Sequence, residues 1–338
     1  MDKTVVLGLS GGVDSAVAAA LLKGDGWAVH CVYLDIGLGG EGDARALAAS
    51  LALPFEVVNI AGELEARVCA PFAEDYLAGR TPIPCARCNP AVKFPALLGV
   101  AERIGASKIA TGHYARVREE GGRTALLRGM PSNDQSYMLA RLPQNILQRV
   151  IFPLGDYEKA EVRRLAGVET PLVAEKPDSM EICFIPDNDY GAWLERRGKT
   201  PPPGNFVDGN GTVLGRHLGI HHYTLGQGKG LKLAGPHRYF VSAIRPETDE
   251  VVLSDGSDLG RETVLCREPN WISIPSLTGK LAVTVRLRHS KTETAAEIEA
   301  EGDGVRIVGA VPFRAPTPGQ LAVFYDGDAV VGSGWIAG

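Results

Sequence analysis

The chain has 338 residues, a formal net charge of −5 at pH 7 and 45% hydrophobic residues. This length allows two or three domains with separate cores, and the composition excludes a disordered chain. The negative charge argues against indiscriminate nucleic-acid binding but allows a local basic patch. No apolar run approaches the ~18 residues of a membrane span, and the first residues lack a signal-peptide core, so we expect a cytoplasmic protein with no membrane partner.

The first half of the chain alternates predicted strands and helices. Buried strands are predicted at 5–9, 28–34, 55–60 and 108–111, and helices at 13–23, 42–51, 64–78 and 96–104. This rhythm predicts an α/β fold with a doubly wound parallel sheet, whose ligands bind at the carboxyl ends of the strands. Gly11 and Gly112 both follow such ends, so we expect a nucleotide site between them.

Residues 10–15, Ser-Gly-Gly-Val-Asp-Ser, connect the first predicted strand to the first helix. Gly11 and Gly12 allow the backbone to approach a phosphate, and the N–H groups of residues 13–15 point out of the positive helix end. The two serine hydroxyls add donors. A Walker loop would need a lysine, whereas Asp14 suggests a bridging Mg²⁺. The motif resembles the pyrophosphatase loop (PP-loop) of enzymes that form adenylates and release pyrophosphate.

After residue 195 the pattern changes from alternating elements to short β-like runs. The proline-rich segment 196–204 is typical of a linker. Strands are predicted at 207–214, 221–225, 239–244, 251–253, 281–288, 294–298, 305–311, 321–325 and 329–335. Evenly spaced short strands are typical of a small barrel. We therefore predict an α/β domain at 1–195, a β-rich domain at 196–270 and a β-barrel at 271–338.

Three of the six cysteines are candidates for chemistry. Cys85 and Cys88 form a C-x₂-C pair in a proline-rich segment, and Cys183 follows about a hundred residues later. Cys88 and Cys183 could be a redox pair that delivers sulfur, or all three thiolates could hold a 4Fe-4S cluster with one open iron. A structural zinc at the C-x₂-C pair is a third interpretation, although zinc normally takes four ligands. The other three cysteines are expected to pack as apolar side chains.

Motifs along nearly the whole chain resemble those of the bacterial tRNA-specific 2-thiouridylases. Beyond the loop they are found at 79–82, 88–94, 109–116, 134–137, 182–185, 222–227, 229–231, 269–272 and 317–320. Many enzymes share the loop, whereas the Cys-Asn…Lys-Phe, Asp-Gln-Ser-Tyr and Ile-Cys-Phe-Ile segments are far more specific. The resemblance implies a PP-loop (adenine nucleotide α-hydrolase-like) catalytic domain, a central tRNA-binding domain and a C-terminal barrel.

The resemblance also implies roles for individual residues. ATP would be bound by Gly8, Leu9, Ser10, Gly11, Gly12, Val13, Asp14, Ser15, Leu34 and Gly112. Cys183 would carry a persulfide, and Cys88 would attack it. The tRNA would be contacted by Asn133, Asp134, Gln135, Arg288 and His289. Further basic candidates are Arg196, Arg197, Lys199, Arg286 and Lys291.

The implied reaction is ATP-dependent 2-thiolation of the wobble uridine of tRNA. Transfer of AMP to uridine O2 creates a leaving group, and sulfur then attacks C2. In the persulfide route a Cys88–Cys183 disulfide remains, whereas in the cluster route an open iron presents hydrosulfide. The sulfur comes from a donor protein or from sulfide. A helix N-terminus or Arg87 is expected to favour the Cys88 thiolate.

Two positions depart from the family's pattern. Cys85 stands where many members have an aspartate, so that residue's acid–base role is not carried over. The segment 35–40 is short and glycine-rich and lacks a Lys-Asn-Trp insertion, which leaves the adenine contacts open. The alternatives are another PP-loop adenylating enzyme, resembling tRNA lysidine synthetase or an amidotransferase, and a non-enzymatic, metal-stapled tRNA-binding protein. Neither alternative requires both Cys88 and Cys183.

Overall fold

The computed structural model describes residues 3–177, 182–198, 200–235, 237–289 and 292–337. Two of the basic candidates, Lys199 and Lys291, lie outside these ranges. In the part of the chain that is described, no helix is long and apolar enough to span a bilayer.

The strands and helices follow the chain in this order. The strands are β1 (Thr4–Gly8), β2 (Ala28–Asp35), β3 (Phe55–Asn59), β4 (Lys108–Ala110), β5 (Ala115–Glu120), β6 (Arg123–Arg128), β7 (Val150–Ile151), β8 (Gly204–Val207), β9 (Val213–His217), β10 (Phe240–Arg245), β11 (Glu250–Ser254), β12 (Gly260–Trp271), β13 (Leu281–Arg286), β14 (Thr294–Glu301), β15 (Gly304–Arg314), β16 (Leu321–Asp326) and β17 (Ala329–Ile336). The α-helices are α1 (Val13–Gly24), α2 (Glu41–Ser50), α3 (Ala61–Leu64), α4 (Ala70–Leu77), α5 (Pro84–Cys88), α6 (Phe94–Ile104), α7 (Ser136–Leu139), α8 (Gln144–Leu147), α9 (Lys159–Glu169) and α10 (Tyr190–Arg196). Single π-helical turns at Glu65–Cys69 and Asn89–Lys93 precede α4 and α6.

The first sheet has five parallel strands in the order β3-β2-β1-β4-β7. In the central strand, Val5 and Leu7 pack with residues of α1, while Val6 packs with residues of α6 on the other face. Burial on both faces explains the continuous apolar run of β1. The strand order reverses at β1, so the connections after β1 and β4 diverge and leave a crevice between them.

The last part of the chain forms a closed barrel. Its strands run β12-β15-β14-β13-β16-β17, and β12 pairs with β17 to close the sheet. The β5–β6 hairpin of the α/β part extends this sheet through pairing of β6 with β17. The predicted α/β fold followed by β-rich domains and a barrel is confirmed, while the limits of the three domains stay a prediction.

A four-stranded sheet, β10-β11-β8-β9, lies between the two in sequence. The strand predicted at 221–225 is wrong, because Ile220–His222 forms a 3₁₀ turn. Tyr223 and Leu225 pack against the core of this small sheet from an irregular segment. Their alternation therefore reflects two inward side chains of a loop and not a paired strand.

Candidate active site

The nucleotide loop is shaped by its glycines. Gly11 has φ +79°, a left-handed conformation that favours glycine. A Cβ on Gly11 would lie 3.0 Å from the backbone nitrogen of Ala44, so the loop is pressed against the start of α2. Gly12 is the N-cap of α1 and has no side chain to cap it. Because no side chain of the N-cap residue accepts their hydrogen bonds, the first-turn N–H groups of α1 can bind an anion.

The two serines of the loop bond to each other and to the backbone. The Ser15 hydroxyl donates to the Gly12 carbonyl at 3.0 Å, and Ser10 N–H donates to Ser15 Oγ at 3.2 Å. Ser15 is only 5% exposed. In this structure the serines fix the curvature of the loop, which is a positioning role more than a donor role.

The ends of β1 and β4 meet as the sequence predicts. A Cβ on Gly112 would lie 2.9 Å from both the carbonyl carbon of Asp14 and the nitrogen of Ser15. Leu9 lies on the other side, where its N–H donates to the Val32 carbonyl at 2.8 Å. Only glycine at 112 allows the connection after β4 to approach the loop this closely.

Two lysines that the sequence analysis missed lie across the loop. Lys159, the first residue of α9, places Nζ 2.6 and 2.8 Å from the two carboxylate oxygens of Asp14. Lys176 donates to the Gly11 carbonyl at 3.1 Å and to Asp43 at 2.5 Å. No local motif marks either residue. The sequence signal is indirect: a phosphate loop without its own lysine needs a cation from elsewhere in the chain.

Asp14 is fully engaged by these neighbours. Besides Lys159, it accepts a hydrogen bond from the Tyr114 hydroxyl at 2.6 Å. Carboxylate oxygens are suitable Mg²⁺ ligands, but both oxygens face the lysine ammonium here. In this structure Asp14 therefore positions Lys159.

The candidate thiols lie near one another, and Cys88 packs in a cluster that reaches Leu34 of β2 and Val58 of β3. Cys88 is the last residue of α5 and is buried, whereas Cys85 and Cys183 are exposed. Cys88 shares a hydrophobic cluster with Phe184 and Ile185, the residues that follow Cys183. The sequence brings these segments together from almost a hundred residues apart.

The protonation of the thiols is set by burial and by Lys93. Burial raises the pKa of Cys88 to about 11; Cys183 and Cys85 add to the rise, and the Lys93 ammonium opposes it. Although the Cys183 side chain is exposed, desolvation by surrounding protein raises its pKa, and Lys93 again opposes this. Arg87, which the sequence analysis expects to favour the Cys88 thiolate, is not among the groups that shift the pKa of Cys88. It pairs with Asp75 at 3.4 Å.

His113 connects the thiols to the nucleotide loop. Its Nδ1 lies 2.7 Å from Thr111 Oγ1, and its ring lies 6.0 Å from that of Phe94. Burial and the Lys93 ammonium lower the pKa of His113 well below its usual value. His113 directly follows Gly112, and the Lys93 ammonium lowers the pKa of both His113 and Cys88, so Lys93 lies near both side chains.

Throughout the described ranges, the one group of three His, Cys, Asp or Glu residues with ligand atoms within 4.8 Å of one another is Glu195, His221 and His222. Cys85, Cys88 and Cys183 are not grouped this closely, and a zinc ion at the C-x₂-C pair stays a prediction. A 4Fe-4S cluster binds each thiolate through a different iron, so this spacing does not test it.

Two predicted tRNA contacts are engaged within the protein. Asp134 pairs with Arg286 at 2.7 Å, and their side chains are 9% and 4% exposed. Gln135 accepts a hydrogen bond from the Tyr114 N–H at 3.0 Å. Asn133 lies beside the first residue of α9, where its side-chain oxygen accepts a hydrogen bond from the backbone N–H of Lys159 at 2.9 Å.

Of the predicted contacts in the barrel, Arg288 is engaged within the protein, whereas His289 is exposed. Arg288 donates to the carbonyls of Leu225 and Ala315 at 3.0 and 2.6 Å, which ties the central part of the chain to the barrel. The His289 ring lies 6.0 Å from that of Tyr137, and burial lowers its pKa. The structure thus brings Asp134, Arg286 and His289 together, and their contact with tRNA stays a prediction.

A cavity of about 670 Å³ opens beside the C-x₂-C helix, where the three parts of the chain meet. Its lining includes Arg80, Arg87, Arg267 and Trp335. Guanidinium groups and an aromatic ring are the side chains that bind phosphates and stack on unpaired bases.

A parallel α/β sheet with a glycine loop at the point where its strand order reverses, and with thiols beside that loop, defines a nucleotide-binding protein of the PP-loop class. Family models agree with this division: a "tRNA methyl transferase HUP domain" matches residues 3–187, a "tRNA methyl transferase PRC-barrel domain" matches 192–255, and an "Aminomethyltransferase beta-barrel domain" matches 261–336. The tRNA-specific 2-thiouridylase MnmA of Carboxydothermus hydrogenoformans is 42% identical, covering 99% of this chain and 97% of its own. That of Lachnoclostridium phytofermentans is 43% identical, covering 99% of each chain. The chain belongs to the tRNA-specific 2-thiouridylase family.

Similarity to solved structures is lower. An NMN synthetase from Francisella tularensis is 19% identical with a TM-score of 0.35, covering 53% of this chain and 67% of that one. A 4-thiouridine synthetase in complex with RNA and ATP is 21% identical with a TM-score of 0.38, covering 58% of this chain and 50% of that one.

Proposed function

We propose that the protein is an ATP-dependent sulfurtransferase that converts the wobble uridine of tRNA to 2-thiouridine. The observation that supports the proposal most directly is that one segment links the predicted ATP-binding loop to the surroundings of the candidate thiols. Gly112 packs on the nucleotide loop, and Lys93 acts electrostatically on both the adjacent His113 and the Cys88 thiol. An adenylate formed at the loop would lie within reach of the thiols. The name shared by the relatives supports the same substrate and reaction.

In the first step, uridine O2 attacks the α-phosphorus of ATP and pyrophosphate leaves. The first-turn N–H groups of α1 would bind the leaving phosphates, and Lys159 and Lys176 lie where they can neutralise the charge. Mg²⁺ would supply further charge neutralisation, and Asp14 is the residue placed to hold it. The step leaves an adenylated uridine, in which AMP is a far better leaving group than oxide.

In the second step, sulfur replaces the adenylated oxygen. The outer sulfur of a Cys183 persulfide attacks C2, and AMP leaves with the former O2. The Cys88 thiolate then attacks Cys183 Sγ, which forms a Cys88–Cys183 disulfide and releases the thiocarbonyl product. A thiol reductant restores the two cysteines, and a donor protein that carries a persulfide then transfers its outer sulfur to the Cys183 thiolate. Lys93 favours the thiolate that Cys88 needs.

The three thiols also fit the ligand set of a 4Fe-4S cluster with one open iron. Cys85, Cys88 and Cys183 would hold it, and the cluster would supply a site for hydrosulfide. Iron and sulfide analysis after anaerobic purification separates the routes. The persulfide route predicts that the protein contains no iron and that Cys85→Ala still thiolates tRNA. The cluster route predicts about four iron atoms per chain, which Cys85→Ala loses.

The wobble uridine would enter through the cavity that opens beside α5. Arg267 can bind a backbone phosphate there, and Arg80 and Arg87 can do so when a phosphate replaces their shared partner Asp75. Arg87 and Arg141 lie over the Trp335 ring at 4.9 and 5.4 Å, so an extruded base would stack on Trp335 only by displacing one of them. Residues from all three parts of the chain line this cavity, so all three parts would contact the anticodon loop.

The direct test compares two cysteine variants. Cys183→Ser is expected to abolish 2-thiouridine formation, measured by mass spectrometry of digested tRNA. Cys266→Ser is the matched control, because Cys266 is buried in the barrel core and is expected to leave thiolation intact. Full 2-thiouridine formation by Cys183→Ser would contradict the role of Cys183 as the sulfur carrier, and absence of 2-thiouridine with the unmodified protein would favour another PP-loop reaction.

A further inference from the structure

A cluster of possible ligand atoms lies outside the active site, where α10 meets the 3₁₀ turn at Ile220–His222. Glu195 Oε1 lies 3.6 Å from His222 Nε2 and 4.0 Å from His221 Nε2. The side chains of His221, His222 and Glu195 are 1%, 29% and 54% exposed. The cluster therefore runs from a fully buried ring to a carboxylate in contact with solvent.

We propose that Glu195, His221 and His222 form a binding site for a divalent transition-metal ion, for which zinc is the best fit. Two imidazole nitrogens and one carboxylate oxygen are a common set of three zinc ligands, and water fills the fourth position. With metal–ligand bonds of about 2.0–2.1 Å, tetrahedral ligand atoms lie roughly 3.3 Å apart. The two separations from Glu195 need to close by about 0.3 and 0.7 Å around such an ion, and the three ligand atoms lie within 4.8 Å of one another.

The histidines lack partners of their own. In the described part of the chain, neither ring nitrogen of His221 has a hydrogen-bond partner, and neither has His222 Nε2. Buried polar atoms are nearly always satisfied, and a neutral imidazole presents one donor and one acceptor. Glu195 lies just beyond hydrogen-bond distance of both rings. One cation between the three side chains would satisfy both Nε2 lone pairs and the carboxylate.

The backbone around the two rings leaves space for nothing larger than glycine. A Cβ on Gly191 would lie 2.7 Å from His222 Cε1, and one on Gly219 would lie 2.4 Å from His221 Cε1. The two ring centroids are 4.1 Å apart. The ring planes are tilted by 38°, so the two imidazoles are nearly stacked, and a shared ion would require the rings to turn slightly apart. The packing keeps both Nε2 atoms close to Glu195.

An ion here would join two parts of the chain. α10 follows the segment that carries Cys183, and Trp193 of α10 packs on Phe184 with ring centroids 5.4 Å apart. The two histidines belong to the turn beside the central sheet. Metal binding would thus fix α10, and with it the packing behind Cys183, against the central sheet.

The test measures zinc binding to the full-length chain in a background in which Cys85, Cys88 and Cys183 are serine, so that these thiolates cannot take up metal. We expect one zinc ion per chain by atomic emission after dialysis. Glu195→Gln is expected to weaken zinc binding by more than about 100-fold in competition with a chromophoric chelator, since loss of even an outer partner costs 10–100-fold. Glu195 is exposed, so this variant is expected to fold, which circular dichroism checks.

A matched control is available in the first sheet. Glu56 pairs with His30 at 2.8 Å, so Glu56→Gln removes a histidine-paired carboxylate elsewhere and is expected to leave zinc binding unchanged. His222→Gln provides a second ligand deletion with the same expected loss as Glu195→Gln. Absence of zinc from the background chain, or binding that persists in both ligand variants, would overturn the proposal, and either result leaves the thiolation proposal standing.

Discussion

Lys159 is the residue on which the nucleotide loop depends for its positive charge. It comes from the start of α9, is held by both oxygens of Asp14, and lies where a departing pyrophosphate would need a cation. Asp14 was expected to act through Mg²⁺, but in the structure its first partner is this lysine. The pair keeps an ammonium group at the loop before ATP arrives.

Replacing Lys159 by glutamine is expected to slow pyrophosphate release by about 100-fold or more, the typical cost of removing one charge-stabilising group. The measurement is tRNA-dependent pyrophosphate release from ATP. Lys23→Gln is the control, because Lys23 donates to the Leu51 carbonyl at the opposite end of α1. Equal rates in the two variants would exclude Lys159 from the phosphate site.

Cys88 is expected to react slowly at neutral pH and faster as the pH rises. Burial raises its pKa to about 11, so the thiolate fraction should increase about tenfold per pH unit below that value. Lys93→Gln removes the opposing charge and should shift the alkylation profile of Cys88 to higher pH. Mass spectrometry of iodoacetamide-treated protein measures the profile, and a thiol already ionised at pH 7 would contradict this account.

At the scale of elements, the site is built from connections after parallel strands. The sequence predicted that the loops after β1 and β4 would meet, because βαβ periodicity and two glycines at strand ends are local signals. It did not predict the lysine of α9 or the Asp134–Arg286 pair, since these partners are 145 and 152 residues apart and carry no shared motif. The prediction of a strand at 221–225 was wrong because an irregular loop can also place alternate apolar side chains into a core.

The contact between the two strand ends is sensitive to a single methyl group. Gly112→Ala is expected to reduce ATP-dependent pyrophosphate release strongly, because its Cβ would lie 2.9 Å from backbone atoms of the loop that cannot rotate away. Gly99→Ala in α6 is the control, because a Cβ there meets no atom within 4 Å. If both variants keep the activity of the unmodified protein, the loop does not bind the nucleotide in this conformation.

At the scale of the whole molecule, the barrel and the α/β part share one hydrophobic core. Leu321, Val323 and Tyr325 of β16 belong to the same cluster as Val6 and Phe94. The buried Asp134–Arg286 pair crosses the same boundary, and Arg288 joins the barrel to the central part. This continuity explains how residues from all three parts can line one cavity.

Breaking the buried pair is expected to be costly. Asp134→Asn removes the carboxylate that pairs with the buried Arg286 and should lower the free energy of unfolding by about 3–5 kcal/mol. Lys280→Gln removes an exposed pair with Glu297 and should cost about 0–1 kcal/mol. Urea denaturation followed by tryptophan fluorescence measures both. A variant Asp134→Asn with unchanged stability but weak tRNA binding would instead make Asp134 a tRNA contact.

The central claim is that the loop and the cysteines perform separate, consecutive steps on one tRNA uridine. The most direct measurement follows pyrophosphate and 2-thiouridine together, in a single turnover of Cys183→Ser with ATP and tRNA. The account predicts a burst of about one pyrophosphate per chain, an adenylated tRNA and no 2-thiouridine. If Cys183→Ser loses both the pyrophosphate burst and 2-thiouridine formation, adenylation depends on Cys183, which would contradict the division of roles.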